Sequence, residues 1–216
     1  MAHEVTNNGI DRDQLTSRAK LARTEMGVEK LTAIADRGYY KSEEMLACHE
    51  AGITVYVPKT ITSSATAHGR FSRDDFIYDP QANEFRCPAG ERLIWRFSTV
   101  ERGLKLSKYG SSNCQQCALK ENCTPGPQRR VTRWEHETVL EAMQARLDRA
   151  PEMMRIRRQT VEHPFGTIKA WMGATHFLTK TIGHVSTEMS LHVLAYNMKR
   201  VITLLGSARL IEAMRT

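Results

Sequence analysis

The chain lacks any hydrophobic run that could cross a membrane. None of its apolar stretches approaches the roughly eighteen residues that a membrane-spanning helix requires. Its opening residues, MAHEVTNNGIDRD, have neither the basic start nor the apolar stretch of a secretory signal peptide. We therefore expect a cytoplasmic protein that has no membrane partner.

The sequence also lacks the short motifs that mark several enzyme classes. No G-x-x-x-x-G-K, G-x-G-x-x-G, G-x-S-x-G or H-E-x-x-H pattern occurs in it. Nucleotide hydrolysis, dinucleotide redox chemistry, α/β-hydrolase chemistry and zinc proteolysis therefore lose their usual sequence support.

Length and composition are those of a folded protein that buries its own core. The 216 residues are 41% hydrophobic and 25% charged, which is a globular rather than a disordered composition. This length suits one domain, or one domain with an insert. Lysine and arginine total 31 against 24 aspartate and glutamate, a net charge of +7. That balance favours a polyanionic partner such as nucleic acid, although many basic proteins bind none.

A strand–helix–strand unit is predicted near the start of the chain. Residues 31–35 are short and apolar, and residues 53–57 are β-branched and aromatic, so both read as strands. A helix lies between them, with Ser42 as its predicted N-cap and Gly52 at its end. Because such a unit joins parallel strands, we expect a mainly parallel α/β core.

Asp36 directly follows the first of these predicted strands. In α/β folds, ligands and metal ions bind beyond the carboxyl ends of parallel strands, so this carboxylate is a candidate ligand. Gly38 would let the backbone turn away sharply and leave the carboxylate accessible. The alternative is a turn aspartate that hydrogen-bonds to its own backbone.

A second candidate site lies in the segment RQTVEHPFGTIK, residues 158–169. Arg158, Glu162 and Lys169 are spaced four and seven residues apart, so on a helix they share one face. These residue types suit a carboxylate that holds a metal ion beside a phosphate backbone. A solvated helix face with an i,i+4 ion pair is the alternative. Pro164 should kink this helix or mark a new start near residue 163.

Four of the five cysteines fall in one region, as Cys87-Pro-Ala-Gly followed by Cys114-x2-Cys117-x5-Cys123. In a cytosolic chain this pattern indicates a metal site before disulfides. Four thiolates can complete a tetrahedral structural zinc site and leave no open position for a catalytic zinc. Unliganded thiols are the alternative, since the x5 gap is longer than usual. Cys48 stands apart and is expected to be a buried small hydrophobe.

Three further segments are predicted to be helical. Residues 11–30 carry one buried stripe, and residues 132–160 form helix with a break near Pro151. After Gly183 an apolar stripe predicts a core-packing helix. The two stripes consist of Leu15, Ala19, Ala22 and Met26, and of Met189, Leu191, Leu194, Ala195, Met198, Val201, Ile202 and Leu205.

Several of these blocks resemble the DDE-type transposases of bacterial insertion sequences. The segment ADRGYY, residues 35–40, is similar to the block around their second acid, and Arg158-x3-Glu162-x6-Lys169 is similar to that around their third. The tyrosine expected three positions before the arginine is Arg155 here. The four clustered cysteines resemble the cysteine-bearing insert of one large subgroup. Residues 3–7 are similar to the strand that follows the first acid.

This resemblance implies an α/β fold of the ribonuclease H-like kind, a mixed sheet flanked by helices, truncated at its N-terminus. Residues 1–70 would form the first part of that core with the second acid, and residues 71–127 a small cysteine-rich insert. Residues 128–216 would form the helical remainder that carries the third acid.

The resemblance also implies a function in DNA transposition, with the element ends and the target DNA as partners. A homo-oligomer is a further possible assembly. In such enzymes carboxylates hold two Mg²⁺ (or Mn²⁺) ions that cut and join DNA strands. Asp36 and Glu162 would be catalytic metal ligands, and Arg158 and Lys169 would contact DNA phosphates. Cys87, Cys114, Cys117 and Cys123 are candidates for a structural Zn²⁺ on their spacing alone, with unliganded thiols as the alternative.

The first acid of the family precedes the segment matched here by residues 3–7, and Asp11 and Asp13 are poor substitutes because they follow it. We therefore expect the C-terminal part of a longer transposase, with impaired strand cleavage when made alone. The alternative is a non-catalytic, zinc-stabilised DNA-binding remnant of a mobile element.

Overall fold

The computed structural model describes residues 5–7, 9, 11–60 and 65–215. The chain divides into two compact units, one made of residues up to Lys59 and from Met143 onward, the other of Thr60–Ala142. In chain order the elements are α1 (Leu15–Met26), β1 (Leu31–Ile34), α2 (Ser42–Glu50), β2 (Ile53–Tyr56), β3 (Ile77–Asp79), β4 (Glu84–Arg86), β5 (Arg92–Glu101), β6 (Leu104–Gly110), β7 (Arg130–Trp134), α3 (Glu137–Arg149), α4 (Glu152–Gly166), α5 (Ile182–Leu205) and α6 (Ser207–Ala213).

The predicted strand–helix–strand unit is confirmed in the first unit. Strands β1 and β2 pair in parallel, and α2 connects them. The N-cap prediction is wrong by one residue, because Lys41 has the extended backbone of the cap and Ser42 is the first helical residue. Gly52 follows the end of α2 with a positive φ of 70°, the left-handed conformation that glycine adopts without a steric penalty.

Helix α1 packs against α2 through its N-terminal half. Leu15 and Ala19 are buried, and the Thr16 backbone N–H donates to the Glu44 carboxylate at 2.7 Å. Cys48 is fully buried beside the Thr16 hydroxyl, as expected of a small hydrophobe. The predicted stripe does not extend to the end of the helix, since Met26 is 64% exposed.

The second unit is a five-stranded antiparallel sheet in the order β3-β4-β5-β6-β7. Its core is aromatic and aliphatic, and consists of Phe76, Phe85, Leu93, Tyr109 and Val131. The helix predicted from residue 132 is wrong in its first residues, which belong to β7. Valine, threonine and tryptophan there favour a strand, and pairing with β6 buries Val131 and Trp134.

The break predicted near Pro151 is confirmed, because α3 ends at Arg149 and Pro151 is the N-cap of α4. Of the two alternatives for Pro164, the new helix start near residue 163 is wrong, and the kink stays a prediction. Helix α4 runs through Pro164 and continues as a π-helical segment, Thr167–Trp171. Ile168 of that segment packs with Val193 and Tyr196 of α5, which anchors it.

The helix predicted after Gly183 is confirmed as α5, but the prediction that its stripe packs in a core is wrong for most residues. Val193 and Tyr196 are buried, whereas Leu191 and Leu194 are 62% and 55% exposed. Periodic apolar residues predict a helix, yet they do not show what covers the stripe. Within the described residues, no helix combines the length and the apolar character needed to cross a membrane.

The structure is thus a mixed α/β arrangement, as predicted at that level. The expectation of a mainly parallel core holds only for the β1–β2 pair, since the other five described strands form an antiparallel sheet. The ribonuclease H-like topology and the boundaries 1–70, 71–127 and 128–216 stay predictions. Of the segment compared with the strand after the first acid, residues 3 and 4 lie outside the described residues. Residues 5–7 are not in a strand, so that expectation is wrong for them.

Candidate active site

Asp36 lies just beyond the end of β1 and starts a short 3-10 turn, Arg37–Tyr39. Its Oδ1 accepts the backbone N–H of Gly38 at 2.9 Å, which is the turn interaction that the sequence left open. Its Oδ2 accepts Nη2 of Arg157 at 2.7 Å. The carboxylate therefore has a local role in the turn and also reaches a residue of α4.

Gly38 can approach the Asp36 carboxylate because it has no side chain, and its backbone angles are ordinary. A Cβ placed on Gly38 would lie 3.0 Å from Asp36 Oδ1, closer than side chains normally approach. A residue with a Cβ would push this oxygen away by a few tenths of an ångström, so Gly38 permits the close approach of its N–H to the carboxylate.

The surroundings of Tyr39 show which other charges lie near Asp36. Burial raises the pKa of the Tyr39 hydroxyl, and the negative charges of Asp11 and Asp36 raise it further. Arg18 and Arg157 act on this pKa in the opposite direction. Asp11 was set aside in the sequence as a poor substitute for the first acid, yet it lies in the same charged neighbourhood. Asp13 instead forms an ion pair with Lys41.

Arg157 is the residue of α4 that the sequence missed. It is half-buried and faces Asp36, whereas its neighbour Arg158 and the carboxylate of Glu162 are exposed. Arg158 and Glu162 are one turn apart on α4, so the predicted shared face is present for these two residues. Glu162 lies five residues from Arg157, a rotation of about 140° and a rise of about 7.5 Å on an ideal helix.

Lys169 lies in the π-helical segment and is exposed. Because a π turn holds more residues than an α turn, the spacing of seven from Glu162 no longer guarantees a common face. Tyr196 of α5 approaches the helix here, with its hydroxyl 3.4 Å from Nδ1 of His163. The convergence of Asp36 with Glu162, and the role of Lys169, therefore stay predictions.

In the second unit, Cys87, Cys114, Cys117 and Cys123 all line one small cavity of about 30 Å³. Each is half-buried and none forms a disulfide. Burial raises the pKa of the Cys123 thiol, and the charges of the other three cysteines raise it further, while Arg129 opposes them. The four thiols are therefore near enough to influence one another.

Tight backbone turns present these cysteines. Gly90 N–H donates to Cys87 O at 2.8 Å, and Cys117 N–H donates to Cys114 O at 3.4 Å. Arg129 lines the same cavity and donates from Nη1 to Cys123 O at 3.2 Å. Its Nε is buried and has no hydrogen-bond partner among the residues that the structure describes. A cationic donor thus faces a group of thiols that would carry negative charge when deprotonated.

Across the described ranges, no three or more histidine, cysteine, aspartate or glutamate side chains are already positioned to hold an ion. This holds for the surroundings of Asp36 and for the cysteine cavity. The structure brings Asp36 and Arg157 together and gathers the four cysteines around one cavity.

Comparison with protein families identifies the family to which the chain belongs. A family model described as a transposase DDE domain matches residues 86–202, which is more than half of the chain. The matched range includes the four clustered cysteines together with Arg158, Glu162 and Lys169, and it begins after Asp36. No curated protein and no solved structure matches the sequence.

Proposed function

Because the chain belongs to the transposase DDE-domain family, we propose that it takes part in DNA transposition through metal-dependent cleavage and transfer of DNA strands. In this proposal Asp36 and Glu162 hold divalent ions, Mg²⁺ or Mn²⁺. DNA, as the element ends and the target, is the partner.

The observation that supports this proposal most directly is the ion pair between Asp36 and Arg157. It joins the carboxyl end of β1 to α4, the helix that carries Glu162. Carboxylates on a strand end and on a neighbouring helix form the kind of pair that Mg²⁺ takes from proteins, with phosphate oxygens as further ligands.

The side chains have distinct proposed roles. Asp36 and Glu162 provide oxygen ligands, and bound ions would activate the attacking hydroxyl and stabilise the leaving oxygen. Arg158 and Lys169 are exposed cations that would pair with DNA phosphates and orient the strand. Gly38 and Arg157 fix the direction of the Asp36 carboxylate.

We expect this chain alone to cleave weakly. The Arg157 guanidinium holds Asp36 Oδ2, so an incoming ion must compete with it or share the carboxylate. Robust cleavage that Asp36→Ala abolishes would show that this part of the proposal is wrong and that the catalytic assignment is right.

The test combines ion binding with strand cleavage. Mn²⁺ binding to the full chain, followed by electron paramagnetic resonance, should weaken at least about tenfold in Asp36→Asn and in Glu162→Gln, since each removes a charged ligand. Glu152→Gln is the matched control, an exposed carboxylate in the first turn of the same helix. Nicking of supercoiled plasmid with Mn²⁺ should fall in the same two variants. Equal Mn²⁺ affinity in all three variants would reject the proposal.

A second candidate is the non-catalytic alternative, a zinc-stabilised DNA-binding module. The gathering of four free cysteines around one cavity favours a structural Zn²⁺ in either case. The two candidates differ in the carboxylates. Asp36→Asn should leave DNA binding intact under both, and should change cleavage and Mn²⁺ binding only under the first.

A further inference from the structure

Strands β5 and β6 form a hairpin, Arg92–Gly110, that extends beyond the rest of the second unit's sheet. Strand β4 pairs with β5 only over Arg92–Ile94, so the remainder of β5 pairs with β6 alone. Five basic residues and one acidic residue occur in this hairpin. Two of its aromatic residues, Trp95 and Phe97, are 49% and 46% exposed.

The strand register places these two aromatic residues on opposite faces of the hairpin. Phe97 is opposite Lys108, and the next pair, Ser98 and Ser107, points to the other side, with its hydroxyl groups 3.1 Å apart. Trp95 donates from Nε1 to Ser98 Oγ at 3.3 Å, so its ring lies on the serine face. A register shift between Trp95 and Phe97 explains why residues two apart differ in face.

The face that carries Phe97 also carries cations. Lys108 is opposite Thr132 on β7, and Gly110 is opposite Arg130, so Arg130 and Lys108 share the Phe97 face. A cavity of about 310 Å³ opens there, with Arg96, Phe97, Lys108 and Arg130 among its lining residues. Arg96 is held by Gly110 O at 3.2 Å and Ser112 Oγ at 3.0 Å.

We propose that this face binds an unpaired DNA strand, with a phosphate in the cavity against Arg96 and Arg130 and a base stacked on Phe97. The choice of DNA rests on the proposed function. The choice of an unpaired strand rests on the exposed ring, because only an unstacked base offers its face to a side chain. Lys108 has Glu101 as an ion-pair partner at 2.8 Å, so most of the phosphate attraction falls to the two arginines.

The test measures fluorescence anisotropy of a labelled single-stranded 20-mer, and of its duplex, with the full chain and no added divalent ions. Phe97→Ala should weaken single-strand binding at least about fivefold, the loss of one base–aromatic stack. Trp95→Ala is the matched control, an equally exposed aromatic residue on the opposite face, and should change the affinity less than twofold. Phe97→Leu, which keeps an apolar side chain, should behave like Phe97→Ala.

The cations are tested by salt dependence. Arg130→Gln should reduce the slope of log affinity against log salt by about 0.7, the value for one phosphate contact on a single strand. Lys105→Gln, on the serine face, should reduce it less. Equal losses for Phe97→Ala and Trp95→Ala, or duplex binding as tight as single-strand binding, would overturn the inference.

The outcome is separable from that of the proposed function. Asp36→Asn should leave this binding unchanged, because Asp36 is not among the residues that line the cavity beside Phe97. Intact single-strand binding with no effect of Asp36→Asn on Mn²⁺ affinity would reject the catalytic proposal and support the hairpin. If Phe97→Ala leaves the single-strand affinity unchanged while Asp36→Asn still weakens Mn²⁺ binding, the hairpin inference is rejected and the catalytic proposal is supported.

Discussion

The guanidinium of Arg157 donates to the carboxylate of Asp36 across 2.7 Å, between residues 121 positions apart in the chain. The pair joins the end of a parallel strand to the helix that carries the proposed third acid. It also ties a candidate metal ligand to a positive charge that the protein itself supplies. Both the stability of the first unit and the ion affinity of Asp36 should therefore depend on Arg157.

Replacing Arg157 with alanine should have two opposite effects. It should lower the free energy of unfolding by about 1 kcal/mol, a value discounted because the Asp36 side chain is 45% exposed. It should also raise Mn²⁺ affinity, because Asp36 loses a competing cation. Urea denaturation and Mn²⁺ titration measure the two effects. Arg158→Ala, an exposed neighbour, is the control for stability, and a loss as large as that of Arg157→Ala would contradict the assignment.

Gly38→Ala should disturb the Asp36 carboxylate directly. The new Cβ would lie 3.0 Å from Oδ1, so the carboxylate has to move by a few tenths of an ångström, which weakens its bond to the N–H of residue 38. We expect a loss of about 1 kcal/mol in unfolding free energy and weaker Mn²⁺ binding. Gly183→Ala is the matched control, since no other part of the described chain lies within 4 Å of a Cβ placed there and alanine favours the helix. A stabilising Gly38→Ala would show that this close approach is unimportant.

The hydrogen bonds of Glu188, in the N-terminal part of α5, should make the stability of the fold depend on pH. Backbone N–H groups of Leu178 and Thr179 and the Thr179 hydroxyl donate to its carboxylate, and these bonds lower the pKa of Glu188 from 4.5 to about 2. A lowered folded-state pKa stabilises the fold above the ordinary pKa, and this contribution disappears as the pH falls from about 4.5 towards 2. Glu188→Gln should remove that part of the acid sensitivity. Unfolding measured from pH 6 to pH 2 in both proteins tests this, and identical pH profiles would count against it.

If zinc binds in the cysteine cavity, the second unit should be sensitive to chelators. Binding requires the four thiols to turn toward the cavity and lose their protons, and the buried Arg129 would offset part of the resulting charge. The purified chain should hold about one zinc ion by elemental analysis, and a chelator should alter the near-ultraviolet circular dichroism of the second unit. Cys114→Ser with Cys117→Ser should abolish the zinc content, whereas Cys48→Ala should keep it. A zinc-free chain whose stability is unchanged in the double variant would exclude the site.

The parts of the fold that could be predicted are those that local chemistry determines. The β-branched residues of β2 and the glycine after α2 made the strand–helix–strand unit recognisable. The strands of the second unit were hidden because β5 exposes residues on both faces, which removes the usual alternation. The stripe on α5 identified a helix, but only the tertiary structure shows that Leu191 and Leu194 are exposed.

The candidate site was predictable in its residue types and not in its contacts. Asp36 was recognisable from its place after a strand and from the block around it. Arg157 was missed because the family pattern draws attention to Arg158, and a difference of one position turns a side chain about 100° around a helix. Asp11 gave no local signal, since its proximity to Tyr39 depends on how α1 packs.

The most direct measurement is a crystal structure of the full chain grown with Mn²⁺, in which anomalous scattering locates the ion. The proposal predicts a manganese peak between the carboxylates of Asp36 and Glu162, with both oxygens about 2.0–2.4 Å from it. Carboxylates on opposite faces, more than about 10 Å apart and with no ion between them, would contradict it, because one metal centre could not use both.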